Sequence, residues 1–340
     1  MIAAHPASLT PYAGLTPDLV LDALDSVGLR GDGRLLQLNS YENRVFQVFL
    51  EDGRVVVAKF YRPGRWSDEQ ILEEHSFTAE LAAEEIPVVA PLVLEADPRS
   101  PLEPTLRGHP ATLACIERDG EMHRFAVAPR RSGRAPPLEG TSELEWIGRF
   151  IGRMHAVGAR RLFEHRTTLT VDGIGRAARD WICAHADLPP ELLPLWQDAA
   201  DRALHVARAA FARLGDVATI RVHGDCHIGN LLWTDHGPHF VDLDDAMNGP
   251  AVQDLWMLLS GDGTDSRAQV RALLGGYESF REFDERELAL VEPLRTLRMI
   301  HHSAWIAKRW KDPAFPAAFP WFGTPSYWQE QVQLLRERLE

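Results

Sequence analysis

The sequence predicts an α+β fold in two parts, a strand-rich first third and a mainly helical remainder. Three observations predict it. Apolar residues alternate with period two in the region up to residue 128; residues 129–140 form a polar, Pro/Gly-rich break; and helical periodicity dominates beyond it, interrupted by a Gly- and His-rich loop within 220–250. Two domains are expected, 1–128 and 129–340, with a cleft between them.

The elements follow in order. Thr16-Pro17-Asp18 ahead of an apolar-periodic run that stops at Gly28 predicts a capped helix, with Thr16 as N-cap and proline at the first helical position. The run 44–50, the turn Glu51-Asp52-Gly53 and the run 54–60 predict a β-hairpin. A second helix is predicted from Ser67 or Asp68 to about Glu85, capped by Ser67 and ended ahead of Pro87. Residues 87–96 (PVVAPLVLEA) read as a return to strand. Prolines and a further turn occupy 97–120, and Phe125-Ala126-Val127-Ala128 reads as a short apolar strand. After the break, Leu144, Ile147, Ile151 and Met154 share one face of a helix ending near Gly158. Helical pattern returns at 191–214. Two short strand-like pieces, 220–222 and 239–241, are joined by the polar loop, and helices fill the rest around a Trp- and Pro-rich insert at 305–328.

At 340 residues, 45% hydrophobic and 25% charged, the chain has an ordinary globular composition and can bury a large core without staples. Its net charge of −13 opposes nucleic-acid binding, which depends on basic surface to displace phosphate counterions. Three widely spaced cysteines make no disulfide framework. The N-terminus lacks the basic segment and apolar run of a signal peptide, and no stretch approaches the roughly eighteen apolar residues that cross a bilayer. A cytoplasmic protein with neither nucleic-acid nor membrane partner is expected.

The chemistry concentrates in His223-Gly224-Asp225-Cys226-His227-Ile228-Gly229-Asn230, followed by Val241-Asp242-Leu243-Asp244-Asp245-Ala246. Asn230 lies five residues after Asp225, and Asp242 twelve after Asn230. Phosphoryl transfer needs one carboxylate to take the proton of the attacking hydroxyl, and an amide and a second carboxylate to hold Mg²⁺ against nucleotide phosphates. Zinc is a competing reading, through His223, Cys226, His227 and His239, but with one local cysteine adjoining a histidine the two cannot ligate together without strain.

The H-x-D-x₄-N pattern with a following strand-Asp resembles the catalytic and metal-binding loops of aminoglycoside phosphotransferase and choline kinase relatives. The likeness is closer still to the bacterial stress response kinase A family. It is carried by Asn39-Ser40-Tyr41-Glu42-Asn43-Arg44-Val45, Lys59-Phe60-Tyr61-Arg62-Pro63, Gln70-Ile71-Leu72-Glu73-Glu74-His75, Gly152-Arg153-Met154-His155, the loops above and Gly249-Pro250-Ala251-Val252-Gln253-Asp254-Leu255-Trp256, and spans residues 39 to about 325. The resemblance implies a protein-kinase-like two-lobed fold, with an ATP-binding N-lobe (1–128) and a C-lobe (129–340) holding the catalytic and metal loops. It also implies a monomeric serine/threonine protein kinase of the oxidative and envelope stress response, using ATP and Mg²⁺. Asp225 becomes the catalytic base, and Asp242 a catalytic residue that is also, with Asn230, a Mg²⁺ ligand. Lys59, at a strand end, becomes the phosphate-binding lysine. Glu74 is its expected ion-pair partner, with Glu73 as competitor, since one residue moves a side chain about 100° around a helix. Ser40 is expected to contact phosphate from a hairpin without the usual glycines, and adenine to meet main-chain groups at 127–130. Asp254 is expected to tether the catalytic loop, Asp244 and Asp245 to sit in a solvated turn, and the tryptophans of the insert to pack as core. A small-molecule alcohol is the alternative acceptor, and a catalytically dead nucleotide-binding regulator a third reading.

Overall fold

The computed structural model describes residues 11–137, 140–259 and 264–338. The first ten residues of the stretch read for a signal peptide, and Leu138 and Glu139 of the Pro/Gly-rich break, lie outside the described residues. The helices are α1 (Pro17–Ser26), α2 (Asp68–Ala83), α3 (Thr141–Gly158), α4 (Ala177–His185), α5 (Leu193–Leu214), α6 (Thr264–Tyr277), α7 (Val291–Lys308), α8 (Ala314–Ala318) and α9 (Pro325–Glu337). The strands are β1 (Gly31–Leu38), β2 (Arg44–Leu50), β3 (Val55–Phe60), β4 (Thr105–Arg107), β5 (Leu113–Arg118), β6 (Glu121–Pro129), β7 (Ile220–Val222), β8 (Leu231–Thr234), β9 (Gly237–Phe240) and β10 (Met247–Gly249). The chain divides into two compact units, Met1–Pro136 with Leu231–Asp244, and Pro137–Asn230 with Asp245–Glu340.

The first unit is built on an antiparallel sheet in the order β1-β2-β3-β6-β5-β4. Alternation does what it must: Phe46, Val48 and Leu50 of β2 and Val56, Ala58 and Phe60 of β3 turn to one face, where Leu19, Val20, Ala23 and Leu24 of α1 cover them. Lys59 and its cross-strand partner Ala126 therefore turn to the other face, where Ala126 packs with Ile71 of α2. Helix α1 starts on Thr16, whose hydroxyl accepts from the Leu19 amide, and α2 on a complete capping box between Ser67 and Gln70.

Residues 87–96 do not form the expected strand. Pro87 and Pro91 have no amide hydrogen and cannot sustain a ladder, so the segment is held by single bonds, Leu92 N to Val127 O (2.7 Å) and Leu94 N to Ala111 O (2.8 Å). The strand-like pieces of the loop region also find different partners. β7 pairs with β10, whereas β9 pairs with β8 in a hairpin. That hairpin joins the first unit through Trp233 N to Arg134 O (2.7 Å) and Phe240 N to Pro87 O (2.7 Å).

The second unit is helical. Gly148 and Gly152 of α3 face α6 so closely that a Cβ there would lie 2.0 Å from the Leu273 carbonyl oxygen and 2.4 Å from that of Tyr277. Trp196 of α5 meets Trp328 of α9 edge-on at 5.9 Å, both fully buried. Of the tryptophans at 305–328 expected to pack as core, Trp328 is buried, whereas Trp305 and Trp310 are half-buried and Trp321 is 45% exposed; the other buried aromatics of this segment are Phe315, Phe322 and Tyr327.

Candidate active site

Within the first unit, Lys59 Nζ lies 3.2 Å from Asp242 Oδ1 and 3.0 Å from Asp244 Oδ1. Burial opposes the charge on Lys59, but Asp244 and then Asp242 outweigh it and hold the ammonium well above its usual value. Glu74, on α2, is buried, its Oε1 accepting from Thr78 Oγ1 at 3.0 Å. Its charge also favours protonated Lys59. The ion-pair partners of Lys59 are nevertheless the two aspartates, where the sequence reading expected Glu74.

Asp244 is not in a solvated turn. It is 3% exposed, pairs with Arg65 and accepts from Asn43 Nδ2 at 3.1 Å in addition to Lys59. A carboxylate so buried is tolerated because cations and donors replace its water. Asn43 Oδ1 in turn accepts from the Arg62 amide (3.1 Å), and Arg62 Nε lies 3.0 Å from both the Glu42 carboxylate and the Glu42 carbonyl oxygen. This network pins the loop between β1 and β2 at Glu42 and Asn43, leaving Ser40 partly exposed between exposed Asn39 and Tyr41. Glu42, Asn43, Arg62 and Arg65 were given no role from sequence. Their signal was present: two arginines in the turn that follows Lys59, and polar residues between two strands. Asp242 stands apart, with a 56% exposed side chain and a backbone φ of +60°, a left-handed conformation uncommon outside glycine.

Within the second unit, Asp225 follows β7. Its Oδ1 accepts from Arg298 Nη1 of α7 at 2.5 Å, and its Oδ2 lies 3.3 Å from His227 Nε2. Burial would raise this carboxyl, but the His227 hydrogen bond and Arg298 outweigh it and hold it well below the usual range. Asn230 Nδ2 donates to the Asp225 carbonyl oxygen (2.9 Å) and approaches Oδ2 (3.4 Å). With its NH₂ so committed, the oxygen of Asn230 is its remaining polar atom. Arg298 and His227 are the neighbours that the sequence reading missed, and no local pattern could have found Arg298, 73 residues away.

Asp254 holds the Asp225 loop from beneath. It is fully buried and accepts from the His223 amide (2.6 Å) and the Gly224 amide (2.8 Å). His155 bonds Asp254 through one ring nitrogen and the Tyr277 hydroxyl through the other, each at 3.0 Å. Gly224 has φ +84°, and a Cβ on it would stand 2.1 Å from the Asp245 carbonyl oxygen, so only glycine fits. Cys226 is buried and its thiol is pushed far up by that burial, which removes it as a thiolate nucleophile.

Among the described residues, no three His, Cys, Asp or Glu side chains gather to hold a metal on their own. Asp242 in the first unit offers a carboxylate oxygen and Asn230 in the second an amide oxygen, each a donor of the hard kind that Mg²⁺ takes and unlike the Cys and His donors of structural zinc.

Residues 34–291 match the family described as phosphotransferase enzyme family (APH). Stress response kinase A of Escherichia coli strain K12 is 42% identical over 327 residues, 96% of this chain and 93% of that protein. The serine/threonine protein kinase RdoA of Salmonella typhimurium strain LT2 is 41% identical with the same coverage. Among solved structures, the amicoumacin kinase hAmiN in complex with AMP-PNP, Ca²⁺ and Ami aligns with a TM-score of 0.70 at 16% identity, over 95% of this chain and 92% of that one. A microcompartment-associated aminopropanol kinase aligns at 0.69 and 14% identity, over 95% of each chain. These two share the fold: an antiparallel sheet region and a helical region in one mixed α+β chain.

Proposed function

The chain belongs to the phosphotransferase enzyme family, and from that premise we propose that it is a Mg²⁺-dependent serine/threonine protein kinase of a stress response, transferring the γ-phosphoryl group of ATP to a protein hydroxyl. Asp225 is the base. As the hydroxyl oxygen bonds to the γ-phosphorus, its proton passes to the Asp225 carboxylate, and the bond from that phosphorus to the β-γ bridging oxygen breaks to release ADP. Lys59 orients the α- and β-phosphates, with Glu74 behind it on α2 and Ser40 covering phosphate from the β1–β2 loop. The main chain at 127–130 meets adenine. Asp242 and Asn230 would hold Mg²⁺, which when bound neutralises charge on the phosphates. The enzyme acts as a cytoplasmic monomer in this reading. Its three cysteines are unpaired, as suits a reducing compartment, and no helix of the described residues is long and apolar enough to cross a membrane.

The observation that carries this reading is the 3.2 Å pair between Lys59 and Asp242, a strand-end lysine and an exposed carboxylate on left-handed backbone. Two opposite charges so arranged are ready to exchange each other for phosphate and for a cation. A small-molecule alcohol remains the alternative acceptor, since one catalytic loop serves whichever hydroxyl is presented to it. Incubation with labelled ATP decides between them, once with generic protein substrates and once with a panel of amino alcohols, sugars and antibiotics, each with Mg²⁺ and with chelator. Label in protein only, abolished by the chelator, is expected. Label confined to metabolites overturns the protein-kinase reading, and label in neither overturns the kinase reading altogether.

A further inference from the structure

The face of α7 that reaches Asp225 departs from the charge balance of the molecule. In a chain of net charge −13, residues 293–311 contain five Lys or Arg and no Asp or Glu. Arg298, His302, Trp305 and Arg309 recur at intervals of four, three and four, which lays them in one stripe along α7. At one end, Arg298, 42% exposed, bonds the carboxylate of Asp225. Next along, exposed His302 stacks on Trp305 with ring centroids 5.6 Å apart and planes at 19°. Phe319 stands edge-on to both, at 6.2 and 5.8 Å. Desolvation lowers the affinity of His302 for protons and Arg298 adds to it, so the ring is a neutral aromatic surface. The guanidinium of Arg309 lies 5.4 Å from the Trp305 ring, and Lys308 and Lys311 are exposed beside it. The carboxylate acting on His302 is Asp225, and that acting on its neighbour His301 is Asp245.

We propose that this stripe is the acceptor subsite and that it selects a peptide with an acidic residue beside the phosphorylated Ser or Thr, the acidic side chain taking Arg298 as its partner. The inference rests on the protein-kinase reading above and deepens it. A guanidinium has five N–H donors, so Arg298 can serve an incoming carboxylate as well as Asp225. The exposed His302 ring, backed by Trp305, offers apolar surface to the peptide. A cationic acceptor would instead meet Arg298, Lys308 and Arg309, and like charges brought together across a contact reject the wrong partner.

The test is a ratio. Three serine peptides, identical except for Glu, Gln or Arg flanking the acceptor, are compared by kcat/KM. Wild type is expected to prefer Glu over Gln by about tenfold, the scale of one charge-assisted pair, and Gln over Arg. Arg298→Ala brings the Glu-to-Gln ratio close to one, Arg298→Lys retains part of it, and Arg298→Glu turns the preference toward the Arg peptide. Each ratio is taken within one variant, so loss of turnover or of folded protein cancels, and a purely structural role for Arg298 would leave it unmoved. Equal use of the three peptides by wild type, or a preference that survives Arg298→Ala, overturns this inference and leaves the protein-kinase reading standing. Absence of label in every peptide overturns both.

Discussion

Asp244 and Asp225 are both aspartates surrounded by positive charge, yet replacing them has different consequences, and burial decides which. Asp244 is 3% exposed and answers Lys59, Arg65 and Asn43 at once. Asp244→Ala leaves Arg65 and Asn43 without their shared acceptor in a place largely shielded from water. A loss of roughly 3–5 kcal/mol is expected, the range for removing one partner of a buried pair, read as a lowered midpoint of chemical denaturation. Asp225 pairs with Arg298 where the two side chains are 22% and 42% exposed, and solvent screens them. Such a pair contributes only about 0.2–1 kcal/mol, and Asp254 keeps the loop in place regardless. Asp225→Asn should therefore unfold within a few degrees of wild type while its phosphotransfer rate falls on the order of 10²–10⁴-fold, the usual reach of a general base. Near-wild-type turnover in that variant would refute the role given to Asp225.

At the scale of elements, α2 matters because it carries Glu74 on the face of the sheet that bears Lys59. Its start is fixed by a reciprocal capping box: the Gln70 amide donates to Ser67 Oγ at 3.3 Å, and the Ser67 amide to Gln70 Oε1 at 2.9 Å. Ser67→Ala removes one of these and should cost about 1 kcal/mol, measurable as a lowered midpoint of chemical denaturation relative to wild type. Elements with strong local signals were legible in the sequence: the two N-caps, the alternation of β2 and β3, and the one-sided face of α3. Elements made by tertiary pairing were not. β1 opens on Gly31-Asp32-Gly33, which reads as a turn, and is a strand only because β2 lies beside it across a bulge. The prolines of 87–96 were outweighed by its valines and leucines in the reading, although a missing amide hydrogen matters more to a ladder than β propensity. The same division runs through the candidate site. Asp225, Asn230, Asp242 and Lys59 stand out by spacing and position, whereas Arg298, Arg65 and the burial of Asp244 depend on segments between 73 and 201 residues apart.

For the whole molecule, stability against pH is set by groups displaced in opposite directions. Arg99 and its hydrogen bonds hold Asp97 down to about 2, and His227 and Arg298 hold Asp225 lower than usual. The stability they contribute is present above the unfolded carboxylate value and is lost as pH falls through their folded values. Glu287 acts the other way. It is 2% exposed, accepts from the Val252 amide at 2.8 Å, and burial pushes it up to about 7 from 4.5. A raised acid contributes stability fully present below about 4.5 and lost as pH rises through about 7. Self-repulsion in a chain of net charge −13 grows over the same range, so the wild-type curve alone cannot isolate Glu287. Comparison with Glu287→Gln can, because Gln keeps an acceptor for Val252 and cannot ionise. Between pH 5 and pH 8 wild type should lose more unfolding free energy than Glu287→Gln, by up to roughly 3 kcal/mol for a displacement of this size. Because Val252 belongs to the helical turn Ala251–Asp254 that holds His223 and Gly224, the protection of amides in the Asp225 loop, taken relative to the intrinsic exchange rate at each pH, should fall over the same interval in wild type and not in the variant. Denaturation curves for the two proteins that stay parallel from pH 5 to pH 8 would show that Glu287 does not ionise in this window.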